Sequence, residues 1–131
     1  MIESEFTRAV HKHLPPDIWA WKICDEYMGG IPDAYYRSKV TGKALWIEYK
    51  YLQKLPVKDS TLIVPALSGL QKKLLQETVD CGQQAMVIVG FKSAGAIYTS
   101  PEEWLNGLPK HEFERRLKSY KQLVEAIKAV L

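Results

Sequence analysis

Apolar residues recur along the chain with two different periods, which predict an alternation of helices and strands. Spacings of three and four residues indicate helices, whereas alternation at every second residue and short, wholly apolar runs indicate strands. The predicted elements are, in chain order, a helix over 3–14, strands over 18–24, 31–38 and 45–52, a helix over 68–80, strands over 85–89 and 95–99, a short helix over 101–105 and a long helix from 110 to 131. The helix–three strands–helix–two strands–helix order predicts a single α/β domain.

Local signals indicate where several of these elements begin and end. Ser4 is available to cap the first helix, and the prolines at 15–16 stop it. The second and third strands are expected to form a hairpin that turns on Thr41 and Gly42. The segment over 54–65 contains two prolines and is predicted to be a loop.

The composition is that of a globular domain. The 131 residues are 47% hydrophobic and 25% charged, ordinary proportions that argue against disorder. No apolar run approaches the ~18 residues of a membrane span, and the acidic, amphipathic start does not resemble a signal peptide. Cys24 and Cys81 lie far apart without the spacing of a metal site, so we expect reduced thiols in a cytoplasmic protein.

Positive charge is concentrated in the middle of the chain. Residues 34–76 contain eight basic side chains against the two acids Glu48 and Asp59, although the whole chain carries a net charge of only +3. A basic segment between acidic ends is typical of a surface that faces a polyanion. Solvated surface lysine is the alternative explanation for each of these residues.

Glu48 and Lys50 share one face of the third predicted strand with Trp46, because side chains alternate across a strand. The apolar residues between them take the opposite face, which is expected to pack on the core. A turn on residues 41–42 would pair Asp33 with Lys50 and Glu48 with Tyr35. A register shifted by two would pair Asp33 directly with Glu48, whereas a shift of one would put them on opposite faces.

Two carboxylates that close together repel each other unless a cation lies between them. Oxygen ligands on a rigid hairpin suit a hard divalent ion, Mg²⁺ or Mn²⁺. A lysine on the same face can contact an attacking water or a phosphate oxygen. The alternative is a solvated strand face on which Asp33 caps a turn after Pro32 and the acid and lysine are ordinary neighbours.

Pro32-Asp33, followed by Glu48-Tyr49-Lys50 on the next strand, resembles the PD-(D/E)XK nuclease superfamily. The acidic first helix with "ESE", the glycine-rich approach to "PD" and the segment "LSGLQKKLLQ" are similar to the VRR-NUC branch, including its stand-alone phage-type members. That branch is similar to archaeal Holliday junction resolvases. The resemblance covers about residues 2–99 and leaves the C-terminal helical extension, 101–131, outside it. It implies a restriction-endonuclease-like fold with a central mixed β-sheet flanked by helices, in a bacterial or phage-infected cell.

The resemblance also implies a role for each matching residue. Asp33, Glu48 and the backbone carbonyl of Tyr49 would bind Mg²⁺ or Mn²⁺. Lys50 would orient or activate the nucleophilic water. Glu5 matches the acid that the family carries on its first helix, and Glu3 is the alternative.

Gln71 matches the family's glutamine on the helix after the hairpin, which implies a role in the site. The spacing from Ser68 to Gln71 is also that of a capping box, in which the glutamine would reach back to the backbone of Ser68. The sequence does not separate the two roles, which may exclude each other.

The aromatic residues and lysines near the hairpin allow two explanations. Trp19 and Trp21 are expected in the core, and stacking on bases is the alternative. Tyr35, Tyr36 and Trp46 lie closer to the predicted site, where stacking on a distorted strand is also possible; Trp46 is otherwise expected in the core. The candidate phosphate contacts are Lys22, Lys54, Lys58, Lys72 and Lys73.

The predicted C-terminal helix carries apolar residues at spacings of four and three, from Phe113 to Leu131. This seam is too short for an ordinary coiled coil, and packing against the chain's own sheet is the first expectation. A homodimer is the alternative, because junction resolvases of similar fold act as dimers on four-way DNA.

The sequence therefore predicts a single domain over 1–131 that hydrolyses phosphodiester bonds in DNA with Mg²⁺ or Mn²⁺. A Holliday junction or another branched DNA is the expected substrate, by analogy with the resolvases. The alternative is a module that keeps the fold and binds nucleic acid without cutting it. Sequence-specific restriction is a third reading, but so short a chain shows no extra target-recognition region.

Overall fold

Strands and helices alternate along the chain in the computed structural model, which describes residues 1–23 and 29–131. The elements are α1 (Glu3–Lys12), β1 (Ile18–Lys22), β2 (Ala34–Ser38), β3 (Ala44–Tyr51), β4 (Leu62–Ile63), α2 (Gly69–Asp80), β5 (Gln84–Phe91), β6 (Ala94–Tyr98), α3 (Pro101–Asn106), β7 (Leu108–Pro109), α4 (Lys110–Arg116), β8 (Lys118–Ser119) and α5 (Tyr120–Ala129). The predicted end of the first strand at Cys24 lies outside the described residues.

In the part of the chain that the structure describes, six strands form the central sheet in the order β1-β2-β3-β5-β6-β8. β3 and β5 run parallel, and each of the other neighbouring pairs is antiparallel. β4 and β7 pair with each other outside this sheet. The predicted mixed sheet flanked by helices is thus confirmed.

Helices cover both faces of the sheet. On one face α1 and α5 pack through Phe6, Val10 and Ile127 onto the buried side of β3. Glycine allows this close approach, because a Cβ atom added at Gly90 would lie only 2.8 Å from the ring of Phe6. On the other face a second cluster joins α2, α3 and α4 to the sheet through Leu75, Trp104, Phe113, Val87 and Tyr98.

The hairpin between β2 and β3 has a different register from the predicted one. A four-residue loop replaces the two-residue turn: the N–H of Ser38 donates to the carbonyl of Lys43 at 2.9 Å. The Ser38 hydroxyl oxygen accepts from two loop N–H groups, at 3.2 and 3.1 Å. Ala34 therefore pairs with Ile47 and Tyr35 with Trp46, and continuing the register sets Asp33 opposite the residue after Ile47. The predicted pairings of Asp33 with Lys50 and of Glu48 with Tyr35 are wrong, and the alternative register, in which Asp33 lies opposite Glu48, is the observed one. A shift of two residues keeps each side chain on the same face of the sheet.

The predicted long C-terminal helix is wrong. It is divided into α4, the short strand β8 and α5. Ser119 begins α5 with a capping box: its hydroxyl accepts from the N–H of Gln122 at 3.2 Å, and the Gln122 side-chain oxygen accepts from the N–H of Ser119 at 2.9 Å. Phe113 on α4 and Val124 on α5 belong to the clusters on opposite faces of the sheet. The apolar seam is therefore not one helical face, and both pieces pack against the chain's own sheet.

Three smaller expectations also change. Ile2, not Ser4, occupies the N-cap position of α1. The segment predicted as a loop contains β4, and β2 begins at Ala34 rather than at residue 31. None of the helices within residues 1–23 and 29–131 is long and apolar enough to cross a bilayer.

Candidate active site

Asp33 lies directly before β2 and is held by the backbone of β3. Its Oδ2 atom accepts a hydrogen bond from the N–H of Tyr49 at 2.8 Å. Because β2 begins only at Ala34, no strand residue pairs with the N–H of Tyr49 on this side, and the Asp33 carboxylate accepts from it instead. The N–H and carbonyl of one strand residue point to the same side, so the Tyr49 carbonyl is directed toward the same edge as Asp33.

Glu48 is buried although it carries a carboxylate, with 1% of its surface exposed. Its Oε1 atom accepts a hydrogen bond from Nε2 of Gln71 at 3.0 Å and lies 3.8 Å from Nζ of Lys50. Its Oε2 atom is also buried, and it has no hydrogen-bond partner among the described residues. An oxygen buried without a partner is costly, so this atom marks a place where a further group would stabilise the protein.

Burial raises the pKa of the Glu48 carboxyl to about 9, and repulsion by Asp33 adds to the rise. The charge of Lys50 opposes the rise, whereas the charge of Glu3 adds to it. Without a cation the carboxyl therefore keeps its proton at neutral pH. A divalent cation would replace that proton, because metal ligands must be deprotonated.

The donor atoms fit a hard metal ion. No group of three or more histidine, cysteine, aspartate and glutamate side chains gathers in a metal-binding arrangement among residues 1–23 and 29–131. Mg²⁺, however, usually keeps several waters and is held by one or two carboxylates. Asp33, Glu48 and the Tyr49 carbonyl could supply a set of that size, in which the Oε2 atom of Glu48 would be one ligand.

The two acids of the first helix have different positions. Both are exposed, and Glu5, which the family resemblance favoured, accepts on its Oε2 atom from the N–H of Ile2 at 3.0 Å. Glu3 lies close enough to the site to interact with it electrostatically: burial raises its pKa, the charge of Asp33 raises it further and Lys50 lowers it. The structure thus brings Glu3, rather than Glu5, toward the acidic pair.

Gln71 makes both of the contacts that the sequence left as alternatives. Its Oε1 atom accepts from the N–H of Ser68 at 2.9 Å, which closes the capping box of α2, while Nε2 donates to Glu48. The first turn of α2 is fixed against the loop before Asp33: Gly30 has a φ of +84°, and a Cβ atom there would lie 2.7 Å from the backbone of Leu70. One amide therefore caps its helix and contacts the site at once.

The lysines predicted to contact phosphates are exposed. Lys22 ends β1 opposite Ala34, which places it on the α1 face of the sheet and not on the face of Glu48. After burial, its charge contributes to lowering the pKa of His11 on α1. The remaining four are on the loop after β3 and on the first turn of α2: Lys54, Lys58, Lys72 and Lys73. Their contact with nucleic acid stays a prediction.

The expected burial of the tryptophans is wrong for two of them. Trp19 and Trp21 are 39% and 51% exposed, because the helices α2 and α3 cover the other end of this sheet face. Trp46 is half-buried and donates from Nε1 to the side-chain oxygen of Gln83 at 2.8 Å. Tyr36, considered for stacking, is fully buried on the opposite face.

No protein-family model matches this sequence. No curated protein is significantly similar to it in sequence. Among solved structures, the chain is similar to Hjc of Archaeoglobus fulgidus, a Holliday junction resolvase from an archaeal hyperthermophile, with a TM-score of 0.57 and 14% sequence identity over 92% of this chain and 98% of that chain. At this identity the likeness concerns the fold, and it confirms the predicted restriction-endonuclease-like architecture.

Proposed function

We propose that this chain is a metal-dependent endodeoxyribonuclease of the PD-(D/E)XK superfamily, in its VRR-NUC branch. The observation that carries the proposal is the buried Oε2 atom of Glu48, which has no hydrogen-bond partner within residues 1–23 and 29–131. The other carboxyl oxygen of Glu48 lies 3.8 Å from the amine nitrogen of Lys50. A carboxylate that served only structure would be expected to accept hydrogen bonds on both oxygens, as Glu103 does. The resolvase-like fold supports the same chemistry and suggests a Holliday junction or other branched DNA as the substrate.

Each residue of the site then has a task. Asp33, Glu48 and the Tyr49 carbonyl would hold Mg²⁺ or Mn²⁺, which when bound would polarise the scissile phosphate and lower the pKa of the attacking water. Lys50 donates hydrogen bonds to that water or to a phosphate oxygen as negative charge develops. Gln71 fixes the rotamer of Glu48, and Glu3, in place of Glu5, supplies the acid of the first helix. In-line attack leaves a 5′-phosphate and a 3′-hydroxyl.

Cleavage of labelled junction, flap, duplex and single-stranded DNA with Mg²⁺ or Mn²⁺ tests the proposal. Lys50→Ala and Asp33→Ala should each lower the cleavage rate by about 10²–10⁴-fold, as loss of a proton-transfer or charge-stabilising group does. Lys128→Ala, an exposed lysine on α5, is the matched control and should cut normally. Wild-type protein that binds branched DNA and never nicks it would identify a non-cleaving binding module instead.

A four-way junction has two strands to cut, so resolution by this chain requires two copies. We therefore include a homodimer in the proposal, although the C-terminal seam that first suggested it is not a single helix. Sedimentation at micromolar concentration with junction DNA should give two protein copies per junction. A single 15.0 kDa copy per cleaved junction would contradict the homodimer without contradicting the nuclease activity.

A further inference from the structure

Four aromatic side chains form a continuous array on the face of β1, β2 and β3 that α2 leaves open. Successive ring centroids lie 6.1 Å apart for Trp21 and Trp19, 5.8 Å for Trp19 and Tyr35, and 4.7 Å for Tyr35 and Trp46. The array lines a groove of about 730 Å³. Neighbouring exposed indoles, such as Trp19 at 39% and Trp21 at 51% exposure, are unusual on a surface that has no binding partner.

The charge of this groove favours a polyanion. The guanidinium of Arg37 lies 5.1 Å from the centre of the Trp19 ring, and Lys43 also lines the groove. Within the described residues that line it, both charged side chains are cations. A second copy of the chain docked by the same face would bring like charges together, whereas nucleic acid offers phosphates to the cations and base faces to the rings.

One row of the array, Trp21, Tyr35 and Trp46, crosses the sheet beside the candidate active site, two residues along the strands from Asp33 and Glu48. Trp46 precedes Glu48 by two residues on the same face of β3, about 7 Å along the strand, which is close to the spacing of one extended nucleotide. We propose that the array stacks unpaired bases of a DNA substrate beside the phosphodiester that is cut. The substrate would then carry single-stranded nucleotides, as flaps and opened junctions do.

The position of the bound bases relative to the cut rests on the proposed function, but the stacking itself does not. Binding is therefore measured apart from cleavage, in the Lys50→Ala background, by fluorescence anisotropy. The probes are a labelled 12-nucleotide single strand, a duplex with a single-stranded flap, and a blunt duplex. Loss of tryptophan fluorescence on adding the unlabelled single strand gives a second readout of stacking.

Trp19→Ala with Trp21→Ala should weaken binding of the single strand and the flap by about tenfold or more, since each stacked base contributes substantially to affinity. Binding of the blunt duplex should change by less than about twofold. Trp19→Phe with Trp21→Phe should restore most of the affinity, which a misfolded protein would not do. Leu105→Ala, another exposed apolar side chain at 42% exposure, is the control and should bind as the parent does.

Unchanged binding of the single strand, or an equal loss on all three probes, would overturn the stacking proposal. So would a parent protein that is dimeric without DNA and becomes monomeric in the double alanine variant, because the array would then be a subunit interface. A chain that never cuts DNA but loses single-strand binding in the variant keeps the stacking and refutes the nuclease. If the protein cuts DNA, and the parent and the double alanine variant bind single strands equally well, the nuclease proposal stands and the stacking proposal is refuted.

Discussion

Glu48 and Glu103 are two poorly exposed carboxylates of one small domain in opposite states. Glu103 receives hydrogen bonds on both oxygens, from Arg116 at 2.9 and 2.7 Å and from the N–H and hydroxyl of Thr99 at 2.8 Å each. The Arg116 hydrogen bonds hold the pKa of Glu103 at about 2. Glu48, in contrast, has an unpartnered oxygen and a pKa raised to about 9 by burial.

An acid that serves only structure is surrounded by hydrogen-bond donors. Around Glu103 the chain provides donors for the whole charge, so the carboxylate stabilises the packing of α3 against α4. Around Glu48 the neighbours are one amide, a more distant lysine and a second acid, which supply too little positive charge to keep the carboxyl ionised at neutral pH. A site that is incomplete in this manner is complementary to a cation.

The largest effect is expected from neutralising the incomplete acid. Glu48→Gln should lower DNA cleavage by about 10³-fold and remove Mn²⁺ binding measured by calorimetry, because the ligand loses its charge. Glu103→Gln, the matched variant, should keep both properties. Equal losses in the two variants would indicate that Glu48 acts only through stability.

The two acids should also give opposite dependences of stability on pH. The folded-state pKa of Glu48 is raised, so its contribution to the free energy of unfolding is fully present below pH ~4.5 and is lost as the pH rises through about 9. The pKa of Glu103 is lowered, so its contribution is present above pH ~4.5 and is lost as the pH falls through about 2.

Urea denaturation in EDTA at pH 5, 7 and 9 measures the upper branch. Wild-type stability should fall across this range, and Glu48→Gln should flatten the fall. Replacing the EDTA with Mg²⁺ at pH 9 should restore stability to the wild type alone. A wild-type profile as flat as that of the variant would contradict the raised pKa.

Breaking the complete pair should cost less. Arg116→Met leaves Glu103 partly buried without its main partner, and we expect a loss of about 1–3 kcal/mol in the free energy of unfolding. Arg115→Met is the control, because its pair with Glu112 is screened by solvent, and its free energy of unfolding should match that of the wild type. Cleavage per folded molecule should be unchanged in both variants.

The smallest effect is expected from Gln71→Ala, which removes both the helix cap and the contact with Glu48. Gln71→Ala and Gln122→Ala both remove the glutamine of a serine–glutamine capping box, at a cost of about 0.5–1 kcal/mol each. Only Gln71 also contacts Glu48, so only Gln71→Ala should reduce cleavage, by about tenfold. Equal cleavage by the two variants would make Gln71 a helix cap alone.

The elements of the fold and the hairpin that carries the site followed from the apolar pattern, because the buried faces of β3 and α1 repeat regularly and β5 is a continuous apolar run. The register did not follow, since the side chain of Ser38 stabilises a four-residue loop where Thr41-Gly42 suggested a tight turn. A shift of two kept Glu48 and Lys50 on the predicted face. The gathering of Asp33, Glu48 and Lys50 was therefore robust to this error.

Other differences arise from tertiary contacts. The break in the C-terminal helix could have been found, because Ser119 and Gln122 repeat the capping-box spacing of Ser68 and Gln71. The exposure of Trp19 could not, since an edge strand with apolar residues on both faces looks buried until the helices are placed. The proximity of Glu3 to the site likewise depends on how α1 packs across the sheet.

Tyr49 connects the two faces of the sheet through a single residue. Its backbone holds Asp33 on one side, while its buried hydroxyl lies 2.6 Å from that of Tyr36 under α1. The packing of Tyr49 in the core therefore fixes the position of Asp33 and Glu48. Grafting this site onto another sheet would require Tyr36 and Tyr49 along with the charged residues. The charged residues alone would not make β2 begin after Asp33, which is what leaves the N–H of Tyr49 free to bind the Asp33 carboxylate.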